Sequence, residues 1–260
     1  MASSGPSPGS ELRARLEKIA AAEVLLVACD FDGTLAPIVE DPADARPLRA
    51  AVTALAALAT LPRTHAALVS GRSRDDLAAL VGSPSGVRLV GSHGGELEAG
   101  SLAERLSPEQ RERLDELQRE LAAIAAEAPG LIAETKPAGV ALHYRMADPR
   151  DAQRAMAAVL AGPAAMPGVH LRHGKKVVEL SVVPDDKGRA VALLRERTGA
   201  TSVLYLGDDV TDEDVFRTLG PADLGVKVGE GPTSAPVRVA SPREAARLLV
   251  DLARERQRER

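Results

Sequence analysis

Short apolar runs that end in polar, glycine-containing turns recur along this chain and alternate with stretches of helical periodicity. Residues 24–29 (VLLVAC) run into Asp30-Phe31-Asp32-Gly33-Thr34, and residues 66–69 (AALV) run into Ser70-Gly71-Arg72. Val87–Val90 runs into Gly91-Ser92-His93-Gly94-Gly95-Glu96, and residues 202–206 run into Gly207-Asp208-Asp209. A short, continuous apolar run closed by a turn suits a strand buried on both faces. The intervening segments read as helices. One covers about 11–22; another follows Pro47 with Leu48, Val52, Leu55 and Leu58 on one face; a third, through Leu80, has Ser73 and Asp76 as a capping box. Further helices cover about 188–197, stopping at Gly199, and the C-terminal segment capped by Ser241-Pro242-Arg243-Glu244. Strands alternating with helices imply βαβ units, and hence an α/β fold with a doubly wound parallel-sheet (Rossmann-like) core.

The rhythm changes between about residues 98 and 184. Ser107-Pro108 opens a long helix with Leu114, Leu117, Leu121 and Ile124 on one face, closed by Gly130. Residues 140–145 alternate with period two, putting Val140, Leu142 and Tyr144 on one face and Ala141, His143 and Arg145 on the other. Asp148-Pro149 caps a helix through Leu160, and residues 175–182 alternate with Lys175, Val177, Glu179 and Ser181 on one side. One-sided strands with two helices describe a small α/β layer that presents a polar sheet face. The expected organisation is a core of 1–97 and 185–260, with 1–10 a flexible leader, and an inserted α/β cap domain at 98–184.

Composition removes several function classes. The net charge of -4 offers no global attraction for nucleic acid or anionic membrane, so an anion must be met by a local cluster. No apolar run approaches the roughly 20 residues of a membrane span. The start, MASSGPSPGS, lacks the charged and apolar regions of a signal peptide, which points to the cytoplasm. Aromatics are 2% of residues with no Trp, so ring stacking cannot be a main binding device. The lone Cys29 sits in an apolar run and reads as a buried thiol.

Three strand exits and one helix start supply complementary chemistry. Asp30 and Asp32 are carboxylates, Ser70 is a hydroxyl, Lys187 is an amine, and Asp208 and Asp209 are further carboxylates. Each alone has a plain alternative: a turn, a solvated lysine, or acids at a helix N-terminus. Together they suit Mg²⁺ and a phosphoryl group, because hard oxygen ligands favour Mg²⁺ and stabilising charge dominates phosphoryl transfer. A carboxylate can act as nucleophile through an aspartyl-phosphate, and a second one two residues on can shuttle the proton.

D-x-D-G-T, a strand-end Ser, a Lys and then G-D-D-x-x-D resembles the haloacid dehalogenase superfamily of phosphatases. That resemblance implies Asp30 as nucleophile and Asp32 as general acid/base. It implies Mg²⁺ bound by the Asp30 carboxylate, the Asp32 main-chain carbonyl and Asp208, with Asp209 and Asp212 in support. Ser70 and Lys187 would hold the phosphoryl group.

Five segments are similar to the trehalose-6-phosphate phosphatase family: DFDGTLAPI from Asp30, GSHGGE from Gly91, KPAGVALHYR from Lys136, GKKVVE from Gly174 and GDDVTDED from Gly207. The resemblance implies hydrolysis of a sugar phosphate, the last step of trehalose biosynthesis, and a functional link to a trehalose-6-phosphate synthase. Substrate contacts would come from Arg72, His93, Lys136, His143, Arg145, Lys175 and Glu179. Members often carry a basic residue soon after the cap glutamate, where this chain has Ser181-Val182-Val183. Two alternatives stay open: another sugar- or polyol-phosphate phosphatase of the superfamily, and a phospho-receiver-like regulatory module. The inserted cap and Asp32 argue against the receiver.

Overall fold

The computed structural model describes residues 8–97, 106–174, 176–183 and 187–259. The chain divides into two compact units, Met1–Leu97 with Asp186–Arg260, and Glu98–Asp185.

The larger unit is built on six strands: β1 (Leu25–Cys29), β2 (Thr64–Val69), β3 (Val87–Val90), β8 (Ser202–Gly207), β9 (Leu224–Val228) and β10 (Val237–Val239). Their order is β10-β9-β8-β1-β2-β3 and every pairing is parallel. Alternate residues of β1 enter two different cores. Leu25, Val27 and Cys29 pack with α1 (Pro8–Ala20), α2 (Arg49–Thr60) and α8 (Pro242–Arg258). Leu26 and Ala28 pack with α6 (Lys187–Thr198) and α7 (Val210–Phe216). A strand covered on both faces needs apolar residues at every position, which is why residues 24–29 show no alternation. Chain order runs outward from β1 in both directions, so the β1/β8 boundary is the topological switch point. Asp30 follows β1 there and Asp208 follows β8.

α3 (Arg74–Val81) starts at Ser73, whose hydroxyl accepts from the Asp76 N–H, and ends at Gly82 in the left-handed region (φ 72°). Only a residue without a Cβ takes that conformation at no steric cost.

The C-terminal helix is fastened by one buried cation. The Arg256 guanidinium donates to the carbonyls of Ala20 (2.6 Å), Ala22 and Arg63 (3.0 Å) and to Thr64 Oγ1 (3.1 Å). It thereby joins the end of α1, the start of β2 and α8. Arg256→Ala would leave these acceptors buried and unpaired, and the expected cost is about 3 kcal/mol. Urea denaturation checks this, and an unchanged midpoint would show that water replaces the guanidinium.

The smaller unit holds β4 (Ile132–Lys136), β5 (Gly139–His143), β6 (His170–Gly174) and β7 (Val177–Ser181), with α4 (Pro108–Ala126) and α5 (Pro149–Ala161). The sheet is antiparallel in the order β4-β5-β7-β6. Val140, Leu142, Val178 and Leu180 pack with Leu117, Leu121 and Ile124 of α4 and Val159 of α5. This is the α/β class expected from the patterning.

Several details differ from the sequence reading. α1 begins at Pro8, so Pro8–Ser10 are helical and not leader, because proline is preorganised for a first helical turn. Strand β5 stops at His143, so Tyr144 and Arg145 lie beyond it and Arg145 does not share a strand face with His143. The β5 strand is also mostly buried, with only His143 partly exposed. Strands β4, β6 and β10 were not expected. β4 and β6 are edges carrying charged or histidine side chains, which hides the apolar pattern, and β10 is only three residues long.

Candidate active site

Lys187 begins α6 and is buried, with only 2% of its side chain exposed. Its Nζ lies 2.8 Å from Asp30 Oδ1 and 2.9 Å from Asp212 Oδ1. Burying an ammonium is costly, and the two carboxylates beside it offset that cost. Asp212 is held further by the Tyr205 hydroxyl, which donates to Oδ1 at 2.7 Å, and by the Asp209 N–H, which donates to Oδ2 at 2.9 Å. Tyr205 is fixed in turn by an edge-on contact with Phe216 at 5.7 Å.

For Asp30, burial and then repulsion from Asp212 and Asp208 outweigh the attraction of Lys187, and its carboxyl sits well above the usual range. Burial would also raise Asp212, but Lys187 and the donors from Asp209 and Tyr205 hold it below its ordinary value. Lys187 is held above the ordinary amine value, because Asp212 and Asp30 overcome the opposing effect of burial.

Carboxylate oxygens of Asp30, Asp208 and Asp212 all lie within 4.8 Å of one another. The excess of carboxylate over ammonium is the condition that a divalent cation relieves, and all-oxygen donors suit Mg²⁺. The residues therefore fit the ion. Both Asp212 oxygens are engaged, Oδ1 by Lys187 and Tyr205 and Oδ2 by the Asp209 N–H. Two glycines make this crowding tolerable. A Cβ on Gly33, which has φ +79°, would fall 2.1 Å from Asp208 Oδ2, and one on Gly207 would fall 2.2 Å from Asp212 Cγ.

Ser70 is buried at the end of β2, and its Oγ accepts from the Arg72 N–H at 3.2 Å. Its carbonyl accepts from the His93 N–H at 2.9 Å. His93 has φ 51°, and its ring lies over Gly71, where a Cβ would come 2.5 Å from Nε2. Arg72 meets Asp32 with two hydrogen bonds, Nε to Oδ2 at 2.6 Å and Nη2 to Oδ1 at 2.7 Å.

In the smaller unit, pairing registers put Glu134, Ala141, Glu179 and Arg172 in one row across the sheet. Lys136 pairs with Glu179 on that face, and His143 Nε2 lies 2.7 Å from Glu134 Oε2. The hydrogen bond to His143 holds the Glu134 carboxyl below its usual range. Arg145 instead lines a groove of about 560 Å³ with Tyr144, Met156 and Lys176. Lys175 lies outside the described residues.

Four contributors escaped the sequence reading. Tyr205 lies in a covered strand, where an aromatic gives no sign of a polar role. Glu96 is buried and accepts from the Arg74 N–H at 2.7 Å and the Ser92 hydroxyl at 3.1 Å, tying the loop after β3 to α3. Lys227 is buried in β9, and its ammonium donates to the Asp208 carbonyl. An amine within Leu-Gly-Val-Lys-Val is a charge inside a covered strand, a signal that could have found Lys227. Glu134 had no such signal, because it lies on an edge strand.

A trehalose-phosphatase family model matches residues 28–245. The trehalose-phosphate phosphatase of Mycobacterium marinum is 36% identical over 242 residues, covering 86% of this chain and 60% of the relative. The bifunctional trehalose-6-phosphate synthase/phosphatase of Thermoproteus tenax is 36% identical over 235 residues, covering 87% of this chain and 32% of the relative. This chain thus spans about three fifths or less of the length of these relatives. The C-terminal domain of Candida albicans trehalose-6-phosphate phosphatase superposes with a TM-score of 0.78 at 27% identity, covering 93% of this chain and 96% of that one. With the switch-point carboxylates in place and the family model matching most of the chain, the protein belongs to the trehalose-phosphatase family.

Proposed function

We propose that this chain is a Mg²⁺-dependent phosphatase that hydrolyses trehalose 6-phosphate to trehalose and phosphate. The observation that carries the reading is the buried Lys187 between Asp30 and Asp212, with Asp208 alongside, at the carboxyl end of β1. It is a prepared site for a phosphoryl group and a divalent ion in a chain of this family.

Asp30 is the nucleophile, and its oxygen bonds to phosphorus as the bond to the leaving sugar oxygen breaks. Asp32 gives that oxygen a proton, then takes one from the water that hydrolyses the aspartyl-phosphate. Lys187 and Ser70 hold the phosphoryl oxygens, and Asp212 keeps Lys187 charged and aimed. Mg²⁺, held by the Asp30 and Asp208 carboxylates and the Asp32 carbonyl, supplies charge neutralisation for the phosphoryl group when bound. Asp209 supports this by orienting Asp212 through its N–H.

The polar sheet face of the smaller unit supplies the sugar contacts, with Lys136, His143 and Glu179 as its main groups. Lys175 is included in this assignment on its motif alone. Arg145 contacts ligand only from outside the strand face, and His93 acts by shaping the Ser70–Gly71 backbone. Charged hydrogen bonds suit sugar hydroxyls where aromatic platforms are absent. The two activities named for the Thermoproteus tenax relative support a functional link to a trehalose-6-phosphate synthase, with this chain catalysing the last step of the pathway. No described helix is long and apolar enough to cross a membrane, and a cytoplasmic location is our reading.

A panel of sugar phosphates tests the substrate. Phosphate release should require Mg²⁺ and be fastest with trehalose 6-phosphate. Equal turnover of glucose 6-phosphate would sink the substrate assignment and leave a broader sugar phosphatase.

A further inference from the structure

We propose that Arg72 is the positioning residue for the water-activating form of Asp32, and that it is not a contact of the substrate. The inference rests on the acid/base reading of Asp32 and goes one step beyond it.

The Asp32 backbone is set by a tight turn, in which the Phe31 carbonyl accepts from the N–H groups of Thr34, Leu35 and Ala36. The turn leaves the carboxylate plane free about two side-chain torsions. Arg72 removes that freedom. Its Nε and Nη2 meet Oδ2 and Oδ1 at 2.6 and 2.7 Å, a fork that matches a carboxylate in one plane only. Arg72 is itself held at three points, two on the guanidinium and one on the main chain. Nη2 also donates to the Pro42 carbonyl at 2.8 Å, the Phe31 ring lies 5.5 Å beneath it, and its own main-chain N–H is tied to Ser70 Oγ. The Arg72 side chain is 15% exposed against 36% for Asp32, so the clamp is the buried partner and the carboxylate faces solvent.

The reaction indicates which half the fork serves. In the first half, an Asp30 oxygen bonds to phosphorus, the phosphorus–sugar oxygen bond breaks, and the Asp32 proton goes to the leaving oxygen. In the second, water oxygen bonds to phosphorus, the bond to Asp30 breaks, and the water proton goes to Asp32. Both Asp32 oxygens accept from Arg72, and a two-donor fork is complementary to the carboxylate that receives the water proton in the second half.

p-Nitrophenyl phosphate isolates the second half, because p-nitrophenolate leaves without a proton. Arg72→Met should give a stoichiometric p-nitrophenol burst followed by a steady rate slower by about 10²-fold, the cost of a misplaced catalytic group. Acid quenching should trap more phosphoenzyme than in the wild type. Arg72→Lys, which can donate but not fork, should recover only part of the steady rate, and it carries the same test should Arg72→Met not fold. A burst phase slowed as much as the steady rate, with a raised KM and no extra phosphoenzyme, would make Arg72 a substrate contact and overturn the proposal. So would a wild-type steady rate in both variants. Asp32→Asn in the same assay separates the two claims: it should also burst and stall. Wild-type turnover of trehalose 6-phosphate by Asp32→Asn would remove the acid/base reading itself.

Discussion

Asp30→Asn is expected to lose phosphate release by about 10⁴- to 10⁶-fold, the scale on which removal of a covalent nucleophile acts, while the fold survives. The second half of that expectation is less obvious. Asp30 is buried beside Asp212 and Asp208, and those carboxylates together with burial hold its carboxyl above the usual range. A neutral amide of the same shape removes the repulsion, while Lys187 keeps its bond to Asp212. In chelator, thermal denaturation of Asp30→Asn should therefore give a midpoint at or above that of the wild type. The phosphorylated intermediate should be absent on acid quenching with any substrate. Retained turnover would refute the nucleophile assignment. A sharp fall in the midpoint would instead mean that the Asp30–Lys187 bond, and not charge crowding, dominates the site.

Lys187→Met should be the most destabilising single change in the site. It leaves Asp30 and Asp212 buried with no ammonium between them, and breaking a buried pair from one side costs about 3–5 kcal/mol. It also removes the cation proposed to hold the phosphoryl group, so activity should vanish as well. The two effects can be separated. Asp212→Asn added to Lys187→Met removes one of the stranded carboxylates and should recover much of the stability with none of the activity. Urea denaturation of the wild type, single and double variants, with phosphate release on each, reads both. Wild-type stability in Lys187→Met would show that the cluster is hydrated and that burial does not govern it.

Much of the architecture was legible because each central strand must satisfy the same condition along its whole length. A parallel strand covered by helices on both faces leaves few positions for a polar side chain until it emerges, so residues 24–29, 66–69 and 202–206 announce themselves and their ends. Ends of that kind are where ligands bind, so Asp30, Ser70 and Asp208 could be singled out with the strands. Edge strands obey no such condition. Residues 132–136 (IAETK) carry charges because one side of β4 has no neighbouring strand, and no apolar run marks them as a strand.

What the sequence by itself determined was the set of chemical groups and their order: two carboxylates, a hydroxyl, an amine and an acidic turn, each at the end of a covered element. Only the tertiary structure decided which group meets which. Asp212 was read as a supporting acid, and it is the carboxylate that shares Lys187 with Asp30 and accepts from Tyr205. Arg72 was read as a substrate contact, and it forks Asp32. Lys227 went unread, and it donates to the carbonyl of Asp208. Local sequence sets where a side chain leaves its strand or helix, through hydrophobic periodicity and turn chemistry. Its partner is set by distances of a few ångströms between segments separated by tens to hundreds of residues, and no local pattern encodes those.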